Sequence, residues 1–331
     1  MNPPPQDDIP IITQFKSVDG QWELTEDNIN RIDPDSGETI LHNYCQYINS
    51  TPITVFEYLI ETKGSDAIRT KDNSNNTPLH YAIQCSRGGD IAVLYYLLNQ
   101  KNVDVNIKGE SDRTLLHFAC KAINTLPLDI YKLLIETHGA DVNAQDNCNN
   151  TPIHDALYPF DPNYGGDAAV LMYLLNQKNV NAKIKNESDR TLLHLACQFI
   201  NRLPLDIYMV LIETHGADIN TRDNCNDTPI RDACNYFNPN YGGDIAVLTY
   251  LLNQKDQTGY SLLHFACKNI NTFPLDHKAC INLISCAWDG HTTRQGFNQD
   301  EEEAKVDLFW ASIMEIVVEN CIKQVVNETT L

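Results

Sequence analysis

Thr77-Pro78-Leu79-His80-Tyr81-Ala82 decides the fold, because the chain returns to it seven times in all. Related versions are Thr39-Ile40-Leu41-His42, Thr114-Leu115-Leu116-His117, Thr151-Pro152-Ile153-His154, Thr191-Leu192-Leu193-His194, Thr228-Pro229-Ile230-Arg231 and Ser261-Leu262-Leu263-His264. Successive starts lie 38, 37, 37, 40, 37 and 33 residues apart. A fixed period in this range marks a solenoid. Each unit then buries its apolar side only against its neighbours, and the stack offers a long surface with no obvious reaction centre.

One unit, residues 112 to 145, shows how the pattern folds. Thr114 sits where a helix begins, and Leu115, Leu116, Phe118, Ala119, Cys120 and Ile123 make that helix apolar. A break follows at Asn124-Thr125-Leu126-Pro127. Proline suits the first turn of a second helix, and Asp129 near its start meets a favourable dipole. Ile130, Leu133, Leu134 and Ile135 line one face of that helix. Gly139 ends it in the left-handed conformation that glycine tolerates. Ala140-Asp141-Val142-Asn143 continues as an extended arm, and a turn leads to Thr151.

The turn supplies an independent check. Two residues before each motif stand Gly37, Asn75, Asp112, Asn149, Asp189, Asn226 and Gly259. Glycine, asparagine and aspartate are the residues that reach positive φ most easily. One backbone shape repeated seven times is therefore expected. Cysteine recurs too: Cys45, Cys120, Cys197, Cys234 and Cys267 each stand six residues after a motif start. That spacing reads as a small buried slot in a reducing compartment, and the odd total of 11 cysteines fits it.

Thr-Pro-Leu-His, a two-helix unit and Gly139-Ala140-Asp141-Val142-Asn143 together resemble the ankyrin repeat, over roughly residues 33 to 288. The resemblance implies helix-turn-helix units with short β-hairpin-like fingers. It also implies a concave surface of fingers and first helices that grips other proteins. The expected fold is an all-α solenoid of about seven units with a C-terminal capping helix. The motif histidines are expected to bond turn backbone, which leaves the unit carrying Arg231 as the exception.

The units depart from the usual period of about 33. The extra residues lie mostly between the two helices, with one more before Gly-Ala-Asp. Two kinds of unit alternate. One carries an Ile-Asn-x-Leu-Pro-Leu-Asp loop, at residues 123–129 and 200–206. The other carries a Gly-Gly-Asp loop in which Asp90, Asp167 and Asp244 read as helix N-caps. Residues 114–150 and 191–227 agree at about three-quarters of positions, so the duplicated block was a pair of repeats. Flanking the repeats, residues 1–32 read as a partly ordered N-terminal cap, 289–303 as an acidic linker and 304–331 as a C-terminal helix that caps the last unit, the alternative being a helix for partner or self-association.

The formal net charge of −20 opposes binding to nucleic-acid phosphates and to anionic membrane. It favours a protein partner, one with a basic surface being the natural complement. The first residues are neither basic nor apolar enough for a signal peptide. No run of about 18 apolar residues suggests a membrane span. A cytoplasmic monomer is expected, with a nuclear location as the alternative.

Catalytic chemistry finds little support. No Gly-x-Ser-x-Gly, P-loop or dinucleotide glycine pattern is present. His-x-x-Cys recurs at His42/Cys45, His117/Cys120, His194/Cys197 and His264/Cys267, but these pairs stand in alternate units and cannot converge on one zinc. No enzyme activity, metal or cofactor is expected. The candidate contact residues are the finger tips, Asp72, Asn73, Lys108, Glu110, Gln145, Asp146, Lys185, Glu187, Arg222 and Asp223. Tyr164 and Tyr241 join them from aromatic inserts, which either anchor a partner or shield helix ends. Two alternatives stand beside a scaffold: an inhibitor or recruiter of an enzyme with a basic surface, and a substrate for an asparagine hydroxylase at Asn143 and Asn220.

Overall fold

The computed structural model describes residues 21, 24–25, 28–86, 91–123, 125–158, 168–236, 244–252 and 254. The chain forms two compact units, Met1–Glu187 and Ser188–Leu331. Among the described residues regular structure is helical, and the one β feature is an antiparallel bridge between Ile32 and Thr39. The seventh motif, the acidic linker, the C-terminal helix and the aromatic inserts bearing Tyr164 and Tyr241 lie outside the described residues.

In the first unit, four motif helices follow one another: α1 (Ile40–Gln46), α3 (Pro78–Cys85), α5 (Leu115–Lys121) and α7 (Pro152–Leu157). Between them come the second helices, α2 (Ile53–Lys63), α4 (Ala92–Leu98), α6 (Leu128–Lys132) and α8 (Ala168–Leu175). Each motif helix packs on the next, α1 on α3, α3 on α5 and α5 on α7, while α2 packs on α4 and α6 on α8. The second unit repeats the plan with α9 (Leu192–Gln198), α10 (Leu205–Met209), α11 (Pro229–Tyr236) and α12 (Ile245–Leu252), where α9 packs on α11 and α10 on α12.

Side-chain size explains the close approach of motif helices. Ala82, Ala119 and Ala156 in the first unit, and Ala196 and Ala233 in the second, are fully buried at the same motif position. The repeated cysteine fills the next position: Cys45, Cys120 and Cys197 are buried thiols, and burial pushes Cys45 and Cys120 far above their ordinary pKa. That is the inert small-residue slot expected of them.

The long interhelix loop has a definite job. Ile123 and Leu126 turn inward, Pro127 is the N-cap of α6, and Tyr131 on that helix is fully buried. The Tyr131 hydroxyl donates to the Ala119 carbonyl at 2.7 Å, closing the C-terminal end of α5. Ile200, Leu203, Pro204 and Tyr208 repeat this in the second unit, where Tyr208 donates to Ala196 at 2.7 Å. Asn201 adds a cap to the following motif helix through Nδ2 to the Tyr236 carbonyl at 2.7 Å, as Asn49 does to Cys85 at 2.8 Å.

The additional residue before Gly-Ala-Asp is absorbed inside the second helix. After α6 and α10 the chain forms one wide turn, Leu133–Thr137 and Val210–Thr214. His138 N–H bonds Leu133 O at 3.2 Å and His215 N–H bonds Val210 O at 3.2 Å, five residues back. A π turn accommodates one residue more than an α turn. Gly139 and Gly216 then stop each helix at φ of 69° and 62°, the left-handed exit expected for them. Asp244 caps α12 as read from the sequence, accepting the Ala246 N–H at 2.8 Å; Asp90 and Asp167 lie outside the described residues.

Candidate functional site

The surface considered for binding is made of motif turns and the starts of motif helices. Its shape begins with backbone. Gly37, Asn75, Asp112, Asn149, Asp189 and Asn226 all sit at positive φ, between 58° and 73°, so the turn residues do what their chemistry foretold. Each turn reverses the chain through a bond such as Asp72 N–H to Asn76 O at 2.9 Å, Asp146 N–H to Asn150 O at 3.0 Å or Asp223 N–H to Asp227 O at 2.9 Å.

The motif histidines lock those turns to helices. Thr114 is the N-cap of α5 and forms a reciprocal capping box with His117. His117 Nδ1 accepts the Thr114 N–H at 3.1 Å. Its other nitrogen therefore carries the proton and donates to Asn150 O, at 3.0 Å, in the next repeat. His42 does the same to Asn76 O at 3.1 Å and His194 to Asp227 O at 3.2 Å. Burial drives His80 and His117 down to about 4, so both rings are neutral at neutral pH. These histidines are structural. Replacing His117 by alanine leaves the Thr114 N–H without its acceptor and strips the Asn150 carbonyl of one of its two donors, and we expect a loss of about 1–3 kcal/mol on urea denaturation. Arg231 keeps its place differently: it forms an ion pair with Asp227 four residues back.

Three of the tip residues face inward. Asp72, Asp146 and Asp223 are buried, and each carboxylate accepts two N–H groups of its own turn at 2.8–2.9 Å. Their oxygens hold the turn. Asn73, Lys108, Glu110, Gln145, Glu187 and Arg222 are exposed, and Lys185 is half-buried. Consecutive tips are tied together by backbone, with Asn73 N–H on Ser36 O at 2.8 Å, Asn147 on Ser111 at 3.0 Å and Glu187 on Cys148 at 2.9 Å; in the second unit Asn224 bonds Ser188 at 3.1 Å. Lys71 Nζ reaches Lys108 O at 2.6 Å, and Lys108 Nζ reaches Gln145 O at 3.0 Å. Gly109 lets two repeats touch, because a Cβ there would lie 2.5 Å from Asn76 Oδ1 and 2.8 Å from His80 Nε2.

Asn143 is also committed to its neighbour. Its Nδ2 donates to Asn179 O at 2.6 Å and its Oδ1 accepts the Asn181 N–H at 2.9 Å. Asn106 makes the same pair of bonds to Gly139 O and Asp141 N–H.

One group of residues went unread in the sequence. Arg113 lies 3.2 Å from Asp146 and 3.4 Å from Asp155, with both carboxylates almost wholly buried. Arg190 lies 3.1 Å from Asp223, with Asp232 buried nearby. The signal was available: arginine immediately precedes Thr114 and Thr191, and aspartate stands four residues after Thr151 and Thr228. Among the described residues no three His, Cys, Asp or Glu side chains gather as a metal site requires, and no helix is long and apolar enough to cross a membrane.

A family model of ankyrin repeats matches the chain in three copies, at residues 14–109, 84–161 and 116–223. The chain belongs to the ankyrin-repeat family. No curated protein matches it. Ankyrin repeats generally mediate protein–protein interaction and are typically non-catalytic, which accords with a surface built from locked turns. The polar tips of this ankyrin chain stand on a frame of buried Thr, His and Asp side chains.

Proposed function

We propose that this ankyrin chain is a non-catalytic scaffold that holds a protein partner along its turn tips and motif helices. The observation that carries the reading is the division of labour within each turn. Thr, His and Asp are buried and bonded, while Asn73, Lys108, Glu110, Gln145, Glu187 and Arg222 are exposed. Rigid presentation of varied polar groups reduces the ordering penalty of association. Lys185 belongs to the same row, and Tyr164 and Tyr241 are retained as candidate anchors. We read the chain as a monomer, cytoplasmic or nuclear, with no affinity for nucleic acid or membrane.

The test places a photo-crosslinking side chain at position 145 or at position 132, on the outward helix α6, in otherwise intact protein. A source extract should give a discrete crosslinked protein at position 145 and none at 132. Equal crosslinking at both positions, or only at 132, contradicts the reading.

The net charge of −20 supports a second reading, an inhibitor or recruiter of an enzyme with a basic surface. Such a complex should weaken steeply with added salt. The tips themselves carry both signs, which favours the scaffold. Hydroxylation at Asn143 or Asn220 stays a third reading. Asn143 would have to release Asn179 and Asn181 to enter another protein's active site.

A further inference from the structure

Two buried clusters recur 77 residues apart, one in each compact unit. In each, one arginine faces two aspartates. Arg113 meets Asp146 from the following turn and Asp155 from α7. Arg190 meets Asp223 from the following turn, and Asp232 of α11 sits in the same field. Each arginine divides its charge between two buried carboxylates. The Oδ2 atoms of Asp155 and Asp232 are buried and lack a well-aligned hydrogen-bond donor in both copies. A carboxylate so placed gains from taking a proton.

The first pair of repeats shows the alternative. Tyr81 occupies the position of Asp155 and Asp232. Its hydroxyl donates to Asp72 Oδ2 at 2.7 Å, so that turn has one carboxylate and a matched donor. Burial raises Tyr81 above its ordinary value, and it stays neutral throughout the acidic range.

All three turns also carry a buried histidine, His42 on Asn76 O, His117 on Asn150 O and His194 on Asp227 O. A proton added at Nδ1 would face the threonine N–H that the ring now accepts. Acid therefore loosens each turn through its histidine.

We infer that the Arg113–Asp146–Asp155 and Arg190–Asp223–Asp232 clusters act as acid counterweights, taking up protons and tightening their turns as the adjacent histidines weaken them. The groups facing Asp155 are Arg113, Lys121 of α5 and Asp146; those facing Asp232 are Arg190, Asp223, Asp227 and Arg231. Burial raises Asp155 and Asp232 to about 6 from an ordinary 3.8, against the pull of the arginines. Stability from a raised carboxyl is fully present below its unfolded value and is lost as pH rises through about 6. Burial lowers His117 from 6.5 to about 4, so its stability is present above 6.5 and is lost as pH falls toward 4. The two windows overlap with opposite sign.

The test compares urea unfolding of the full chain at about pH 7.5 and about pH 5.5, as wild type, Asp155→Asn, Asp232→Asn and the double variant. Asparagine keeps the shape but cannot titrate. The acid-induced rise in the unfolding constant should be steeper by roughly fourfold for each asparagine and roughly sixteenfold for both. Parallel pH profiles in wild type and double variant would overturn the inference. Hydrogen exchange of the unaltered chain gives a second reading that needs no variant. Corrected for intrinsic rates, amide protection at Ser74 and Asn76 should fall about fourfold more on acidification than at Cys148, Asn150, Cys225 and Asp227. Equal falls at all three turns would also overturn it.

Discussion

Arg113→Ala should lower the stability of the repeat stack by about 3 kcal/mol, because it leaves Asp146 and Asp155 as buried carboxylates without their ion-pair partner. The effect is one of uncompensated charge more than of a lost attraction. Breaking a buried pair by removing one partner is far more damaging than the pair is stabilising. It follows that adding Asp155→Asn to Arg113→Ala should recover a large part of the loss, whereas Asp155→Asn alone should be close to neutral. Urea denaturation followed by circular dichroism measures all three. A loss below about 0.5 kcal/mol for Arg113→Ala, typical of an exposed pair, would show the cluster to be solvated.

Tyr131→Ala should be at least as severe, with an expected loss of about 3–5 kcal/mol. The side chain is fully buried between the two helices of its repeat and its hydroxyl closes the end of α5. Truncation removes an aromatic ring from a packed core and leaves the Ala119 carbonyl with the Ala122 N–H as its remaining donor. Tyr131→Phe separates these contributions: it keeps the ring and should lose only about 1 kcal/mol. Nearly equal losses for the two variants would mean that the hydrogen bond, not the packing, explains why this long loop is retained. Tyr208 stands in the same relation to Ala196 and should behave alike.

Much of this was legible in the chain, and for local reasons. Positive φ is a property of single residues, so Asn75, Asp112, Asn149, Asp189 and Asn226 announced their turns directly. The motif threonine and histidine are three apart and cap one helix, so their partnership needs no tertiary information. Gly139 and Asp244 were readable for the same reason. What escaped notice depends on side-chain direction within a turn or on contacts between repeats. Asp72, Asp146 and Asp223 look like solvated tip charges until the fold shows each carboxylate turned back on its own N–H groups. Arg113 and Asp155 are 42 residues apart, and nothing in either residue names the other. The wide turn at Leu133–Thr137 was visible only as one residue too many. Its placement inside the helix follows from keeping Leu134 and Ala140 both buried.

The central claim is that each bihelical unit is held by its immediate neighbours and not by a shared core. Native-state hydrogen exchange of a Leu116→Ala variant tests it most directly. Leu116 is fully buried on α5, which packs on α3 and on α7. Exchange should accelerate strongly in α5, clearly in α3 and α7, and least in α1, one step further along the stack. Uniform acceleration across α1, α3, α5 and α7, the mark of one all-or-none core, would contradict the claim.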